Sequence, residues 1–174
     1  TAEAKASAAT AAIANVNDAP TGAVTVSGTA TQNQVLTASN TLADADGLGT
    51  LAYQWQSSAD SGSTWTAIGG ATASTFTLTE AQVGKLVRVN VSYTDGHGTA
   101  EAKASVATAT IANVNDAPTG AVTVSGTATQ NQVLTASNTL ADADGLGTLA
   151  YQWQSSADSG STWTRSEEHT SELQ

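Results

Sequence analysis

Residues 75–96 read TFTLTEAQVGKLVRVNVSYTDG, and this stretch decides the fold class. Val87, Val89, Val91 and Tyr93 alternate with Arg88, Asn90 and Ser92. A period of two sends every second side chain to one face, so the run predicts a strand with one buried and one wet side. Phe76 and Leu78, just upstream, predict a shorter strand facing the same core.

The same reading extends in both directions. Leu51, Tyr53 and Trp55 alternate with Ala52, Gln54 and Gln56. Val24 and Val26 mark a first strand, Val35–Leu42 a second, Thr64–Ile68 a fourth, and the Ala/Thr-rich run Ala100–Ala112 a seventh that ends at Ile111. Gly, Asn, Asp and Ser separate these runs, and no helical period appears. Seven short strands in about 100 residues predict two antiparallel sheets packed face to face.

The chain repeats itself. Residues 1–66 recur at 99–164, an offset of 98, with only Ala8/Val106 and Ala12/Thr110 differing. A period of this length is that of a tandem array of β domains. The expected organisation is a last strand of a preceding repeat at 1–14, a complete repeat at 15–112, the first half of another at 113–164, and a foreign tail at 165–174. That half repeat should expose an apolar face and unpaired sheet edges, and be less stable than 15–112.

The tail RSEEHTSELQ breaks the pattern that AIGGATASTFTL continues in the first copy. It matches a translated sequencing-library adapter, so His169 and the glutamates beside it are set apart from functional argument. The sequence has no methionine, so position 1 is not expected to be a translation start. A signal peptide, an anchor and any ligand-binding domain are expected beyond this stretch.

The formal net charge is −10, with only five Lys and Arg residues. Nucleic acid binding needs many more cations to neutralise phosphates, and an anionic membrane surface would repel the chain. No apolar run reaches the roughly 18 residues that a membrane-crossing helix requires. Cysteine is absent, and a repeat of about 100 residues can bury a core without disulfides.

Strand directions alternate, so the start of the first strand, the loop 43–50 and the hairpin after Tyr93 should gather at one end. They carry Asn17 and Asp18, Asp44 and Asp46, and Asp95. The opposite end should present Glu80 and Asp60. Where repeats abut head to tail, Glu80 would approach Asn113, Asn115, Asp116, Asp142 and Asp144. Carboxylate and amide oxygens gathered in this way suit calcium, which takes roughly 6–8 oxygen ligands. The same letters are also ordinary turn chemistry, in which Asx side chains bind their own backbone and Pro20 stiffens a linker. Both readings stand at this point.

Two motifs point elsewhere. DGHGTAEA (95–102) is similar to the histidine motif of subtilisin-type proteases, but no serine context accompanies it, and His97 falls in a hairpin. SADSGSTW (58–65) lacks the lysine of a phosphate loop and reads as a turn. Trp65 could pack across the core or serve as a sugar-stacking platform. No catalytic residues are assigned, and an enzyme is not expected.

The linker IANVNDAP (13–20 and 111–118), the DADG loop (44–47 and 142–145) and the spaced set YQWQ, TW, GAT, VG and YTDG resemble a known type of repeat. They are similar to the tandem immunoglobulin-like and cadherin-like repeats of large bacterial surface adhesins and repeats-in-toxin exoproteins, over residues 1–164. The resemblance implies tandem immunoglobulin-like seven-strand β-sandwich repeats, with Trp55 on the third strand. Ala38 and Val89 or Val91 would stand where antibody domains pair cysteines. It also implies a secreted or cell-surface stalk in adhesion or biofilm, stiffened by Ca2+ at the linkers. Its partners would be neighbouring repeats, with host or matrix glycans and proteins engaged by domains elsewhere. Asn113 departs from the Asp usual in cadherin linkers, and TEAQ matches their acidic motif only in part. A glycan-binding repeat module is the alternative.

Overall fold

In the computed structural model, residues 1–165 are described, and they form an all-β chain of several small antiparallel sheets. They contain no α-helix, and hence no helix long and apolar enough to cross a membrane. The chain divides into two compact units, Thr1–Val114 and a second that begins at Asn115. The expectations for His169 and the three glutamates of the tail lie outside the described residues.

In the first unit the alternating runs become strands β1 (Val24–Ser27), β2 (Val35–Asn40), β3 (Ala52–Ser58), β4 (Thr66–Ala67), β5 (Thr75–Thr77), β6 (Leu86–Thr94) and β7 (Ala100–Ala104). A three-stranded sheet has the order β1-β2-β5, and a four-stranded sheet the order β4-β3-β6-β7. Every pairing is antiparallel; Trp55 faces Val89, Tyr53 faces Val91 and Leu36 faces Phe76.

The two sheets share one core. Leu36 and Leu78 on one side cluster with Trp55, Val87, Val89 and Val91 on the other, all fully buried. The Trp55 ring stacks on Phe76 at 5.6 Å between centroids. Its indole N–H donates to the Ala73 carbonyl at 2.9 Å, so the largest buried side chain leaves no polar group unsatisfied.

The seventh strand is shorter than the sequence predicts. β7 stops at Ala104, and residues 105–112 continue as an irregular segment that is still tied down. Ser105, Thr108 and Ile111 donate their amides to the carbonyls of Val89, Val87 and Lys85. Gln32 and Ala112 then exchange bonds across the β1–β2 hairpin, with Gln32 N–H to Ala112 O and Ala112 N–H to Ala30 O, both 2.9 Å. Ile111 is buried at 1% exposure by this closure. The second strand likewise ends at Asn40, two residues short of the expected Leu42, because the Asn40 carboxamide oxygen accepts the Leu42 amide and turns the chain.

The second unit holds β8 (Val122–Gly126), β9 (Leu134–Asn138), β10 (Gln154–Ser155) and β11 (Thr164–Arg165). They pair as β8-β9 and β10-β11, the same local pairings that β1-β2 and β3-β4 make. Local structure therefore follows local sequence. Burial does not: Leu36 is 0% exposed and its counterpart Leu134 41%, while Val24 is 5% exposed and Val122 58%. Leu36→Ala should cost about 2–5 kcal/mol, the usual range for emptying a closed core site. Leu134→Ala, the same residue in the same local sequence, should cost a small fraction of that, and urea denaturation followed by tryptophan fluorescence checks both.

Candidate functional site

One end of the first unit is built by the linker Asn17–Pro20, the loop Asp44–Gly47 and the hairpin after β6. The loop is an Asx turn: the Asp44 carboxylate accepts the Asp46 amide at 2.9 Å, and Gly47 takes a positive φ of 100°. Gly96 lies close against it, donating its N–H to the Asp46 carbonyl at 3.0 Å. A Cβ on Gly96 would come within 2.5 Å of that oxygen, so only glycine permits the approach.

The linker is strapped onto this platform at three points. The Asp18 amide donates to Asp46 Oδ2 at 2.6 Å. Asn17 Nδ2 donates to Glu101 Oε1 at 2.8 Å, and Lys103 Nζ donates to the Pro20 carbonyl at 3.2 Å. The second unit repeats the first of these bonds, with the Asp116 amide donating to Asp144 Oδ2 at 2.8 Å and the Asp144 amide to Asp142 Oδ1 at 2.9 Å.

Beneath the loop, alternation along β6 turns Tyr93 inward, and its hydroxyl donates to Asp44 Oδ2. Burial, followed by the bond to Asp44, pushes the phenol above its ordinary pKa. Asp95 Oδ1 accepts the amides of Thr99 at 2.7 Å and His97 at 2.9 Å. The Thr99 amide contributes most to holding this carboxyl below its ordinary pKa. The other oxygen, Asp95 Oδ2, is buried with no hydrogen-bond partner.

Of the residues singled out by sequence, Asn17, Asp18, Asp44, Asp46 and Asp95 meet at this end. Glu80 sits in a 3-10 turn (Glu80–Gln82) and Asn113 near the end of the same unit. Asn115, Asp116, Asp142 and Asp144 belong to the second unit, where Asp116 and Asp144 are joined by the bond above. Glu101, Lys103 and Tyr93 complete the platform and were not among the residues expected there. Glu101 and Lys103 lie 84 and 83 residues from their linker partners, so no local pattern announces them. Most of the carboxylate oxygens are engaged by backbone amides, which is the turn chemistry. Among the described residues of the first unit, no three carboxylate or imidazole groups converge to within 4.8 Å. Any cation held there would draw on carbonyl and amide oxygens as well.

A domain family described as "Domain of unknown function (DUF8696)" matches residues 22–113. The chain belongs to the DUF8696 family. The matched span takes in β1–β7 of the DUF8696 domain and its DADG loop, while Asn17 and Asp18 fall before it. No curated protein matches the chain.

In the DUF8696 domain Trp65 and His97 are placed as structural side chains. The Arg88 guanidinium lies 4.2 Å from the centre of the Trp65 ring, and the Trp65 N–H donates to the Gly62 carbonyl at 3.0 Å. His97 is exposed and serves Asp95 through its backbone amide. In the turn between β3 and β4, Asp60 accepts from the Thr64 hydroxyl and amide and from the Ser58 hydroxyl. These bonds lower its pKa to about 2, and Asp158 repeats the arrangement in the second unit.

Two outcomes follow from this geometry. The ionised Asp60 stabilises its turn above the ordinary pKa of 3.8, and that contribution is lost as pH falls toward about 2. Carboxyl-carbon NMR should find Asp60 titrating near the lower value, and Asp60→Asn should flatten the acid dependence of stability. Asp46→Ala should free the linker, and hydrogen exchange at the Asp18 amide should quicken while the β6 amides stay protected.

Proposed function

We propose that the DUF8696 domain is a spacer repeat, an immunoglobulin-like sandwich that sets distance and direction in a secreted or cell-surface bacterial adhesin. The observation that carries this reading is the strapped linker. A spacer must hold the chain that enters it at a fixed angle, and the Asp18–Asp46 bond is remade as Asp116–Asp144 in the next copy. The sheet orders β1-β2-β5 and β4-β3-β6-β7 around a buried tryptophan support the immunoglobulin-like assignment. Near-identity of the copies favours a repeated mechanical role over distinct chemistries.

Calcium is the stiffening ion in this proposal, taken by the oxygens that linker and loop leave uncommitted. An acidic platform attracts a hard cation, and affinity in the weak extracellular range of about 10⁻⁴–10⁻³ M is expected. Trp65 is committed to Arg88 and Gly62, which weighs against the glycan-binding alternative.

Calcium titration of the chain, followed by calorimetry and small-angle scattering, tests the proposal. Millimolar calcium should raise the melting temperature and extend the scattering envelope, with magnesium weaker in both. An unchanged melting curve and envelope would remove calcium from the account. Sugar retention on a glycan array that Trp65→Ala abolishes would replace the spacer with a glycan binder.

A further inference from the structure

Residues 1–14 and 99–112 are the same segment twice, yet the structure uses them in opposite ways. In the first unit the later copy is a core element: it forms β7, bonds to β6 and buries Ile111 at 1% exposure. Val106, Ala107 and Thr108 line a groove together with Val24, Thr25 and Val26 of β1. The earlier copy, Thr1–Ala14, forms no strand and is exposed along its whole length, with Ile13 at 94%.

The seat that this segment occupies also exists twice. In the second unit β8 and β9 carry the sequence of β1 and β2, but nothing lies along them. Val122 and Val124 are each 58% exposed and Leu134 41%. Ala128 and Gln130, the counterparts of Ala30 and Gln32, stand at the edge that accepts Ala112 in the first unit.

We propose that Thr1–Ala14 of one molecule docks on the exposed face of the second unit of another copy of this chain. Ile13 fills the place of Ile111, Ala14 N–H donates to the Ala128 carbonyl, and Gln130 N–H donates to the Ala14 carbonyl. The two positions that differ between the copies do not disturb the fit, because Val106 and Thr110 are exposed where the segment is seated. The residues turned inward there, Ser105, Ala107, Thr108 and Ile111, are matched by Ser7, Ala9, Thr10 and Ile13. This is strand addition to an open edge, in which main-chain bonds combine with side-chain pockets.

The partner is a second molecule for reasons of reach and vacancy. The seat on the segment's own unit is taken by residues 105–112. Ala14 is tethered four residues before Asp18, a span of at most ~14 Å, and Asp18 is bound at the Asp46 end of the unit. The second unit's chain departs after Val114, whose amide is bound to Gln32 at the opposite end. Strand β6 alone covers ~30 Å between those ends. Guest and host are different surfaces, so the contact is head to tail and grows chains or closes rings.

Sedimentation velocity of the full chain across a hundredfold concentration range tests this. Association rising with concentration is expected, and removal of residues 1–14 or Ile13→Asp should weaken it at least tenfold. Both changes should leave the melting of the first unit unaltered, since Ile13 has no place in its core. A free peptide with the sequence of residues 1–14 should compete. A chain that stays monomeric throughout overturns the proposal, as does association indifferent to Ile13→Asp, which would mean that exposed faces pair with each other.

Discussion

The packing of Trp55 between two sheets is the contact on which everything else rests. Neither sheet is stable alone; a two- or three-stranded sheet in water gains too little from its own pairs. Leu36 and Leu78 supply one wall of the core and Val87, Val89 and Val91 the other, and the indole fills the space between. Once this core closes, the ends of the strands are fixed, and with them the loops that hold the linker. The second unit shows the dependence directly. Its sequence through Thr164 is that of the first, its hairpins form, and its apolar side chains remain in water.

Much of this was legible in the letters. Alternation placed β3 and β6 and turned Trp55 and Tyr93 inward, because a buried face imposes a period of two. The last strand was overread: Ala and Thr continue past Ala104, but the chain leaves the sheet to close over the β1–β2 hairpin, which composition does not encode. The acidic loop was legible as a cluster and only partly as an arrangement. Asp44, Asp46 and Asp95 lie in turns that their residue types announce. Tyr93 beneath Asp44, Glu101 against Asn17 and Lys103 against Pro20 are contacts between distant segments that only the closed fold creates.

The platform joins two kinds of chemistry that sequence alone could not rank. Most of its carboxylate oxygens accept backbone amides, which shapes the loop and holds the linker. The buried Asp95 Oδ2 remains without a partner, which keeps the site receptive to a cation. A carboxylate that organises a turn can also ligate a metal through its free lone pairs, so the two roles reinforce one another in a spacer. Rigidity of the linker is the shared consequence.

The central claim is that identical sequence becomes a stable core only where both sheets close around the tryptophan. Hydrogen exchange read across the whole chain tests it most directly, because the two copies report within one molecule. The account predicts strong protection at residues 53–57 and 87–93, and exchange faster by orders of magnitude at the counterpart residues 151–155. Equal protection at 53–57 and 151–155 would contradict it, since the strand would then owe its stability to its own sequence and not to the sheet packed against it.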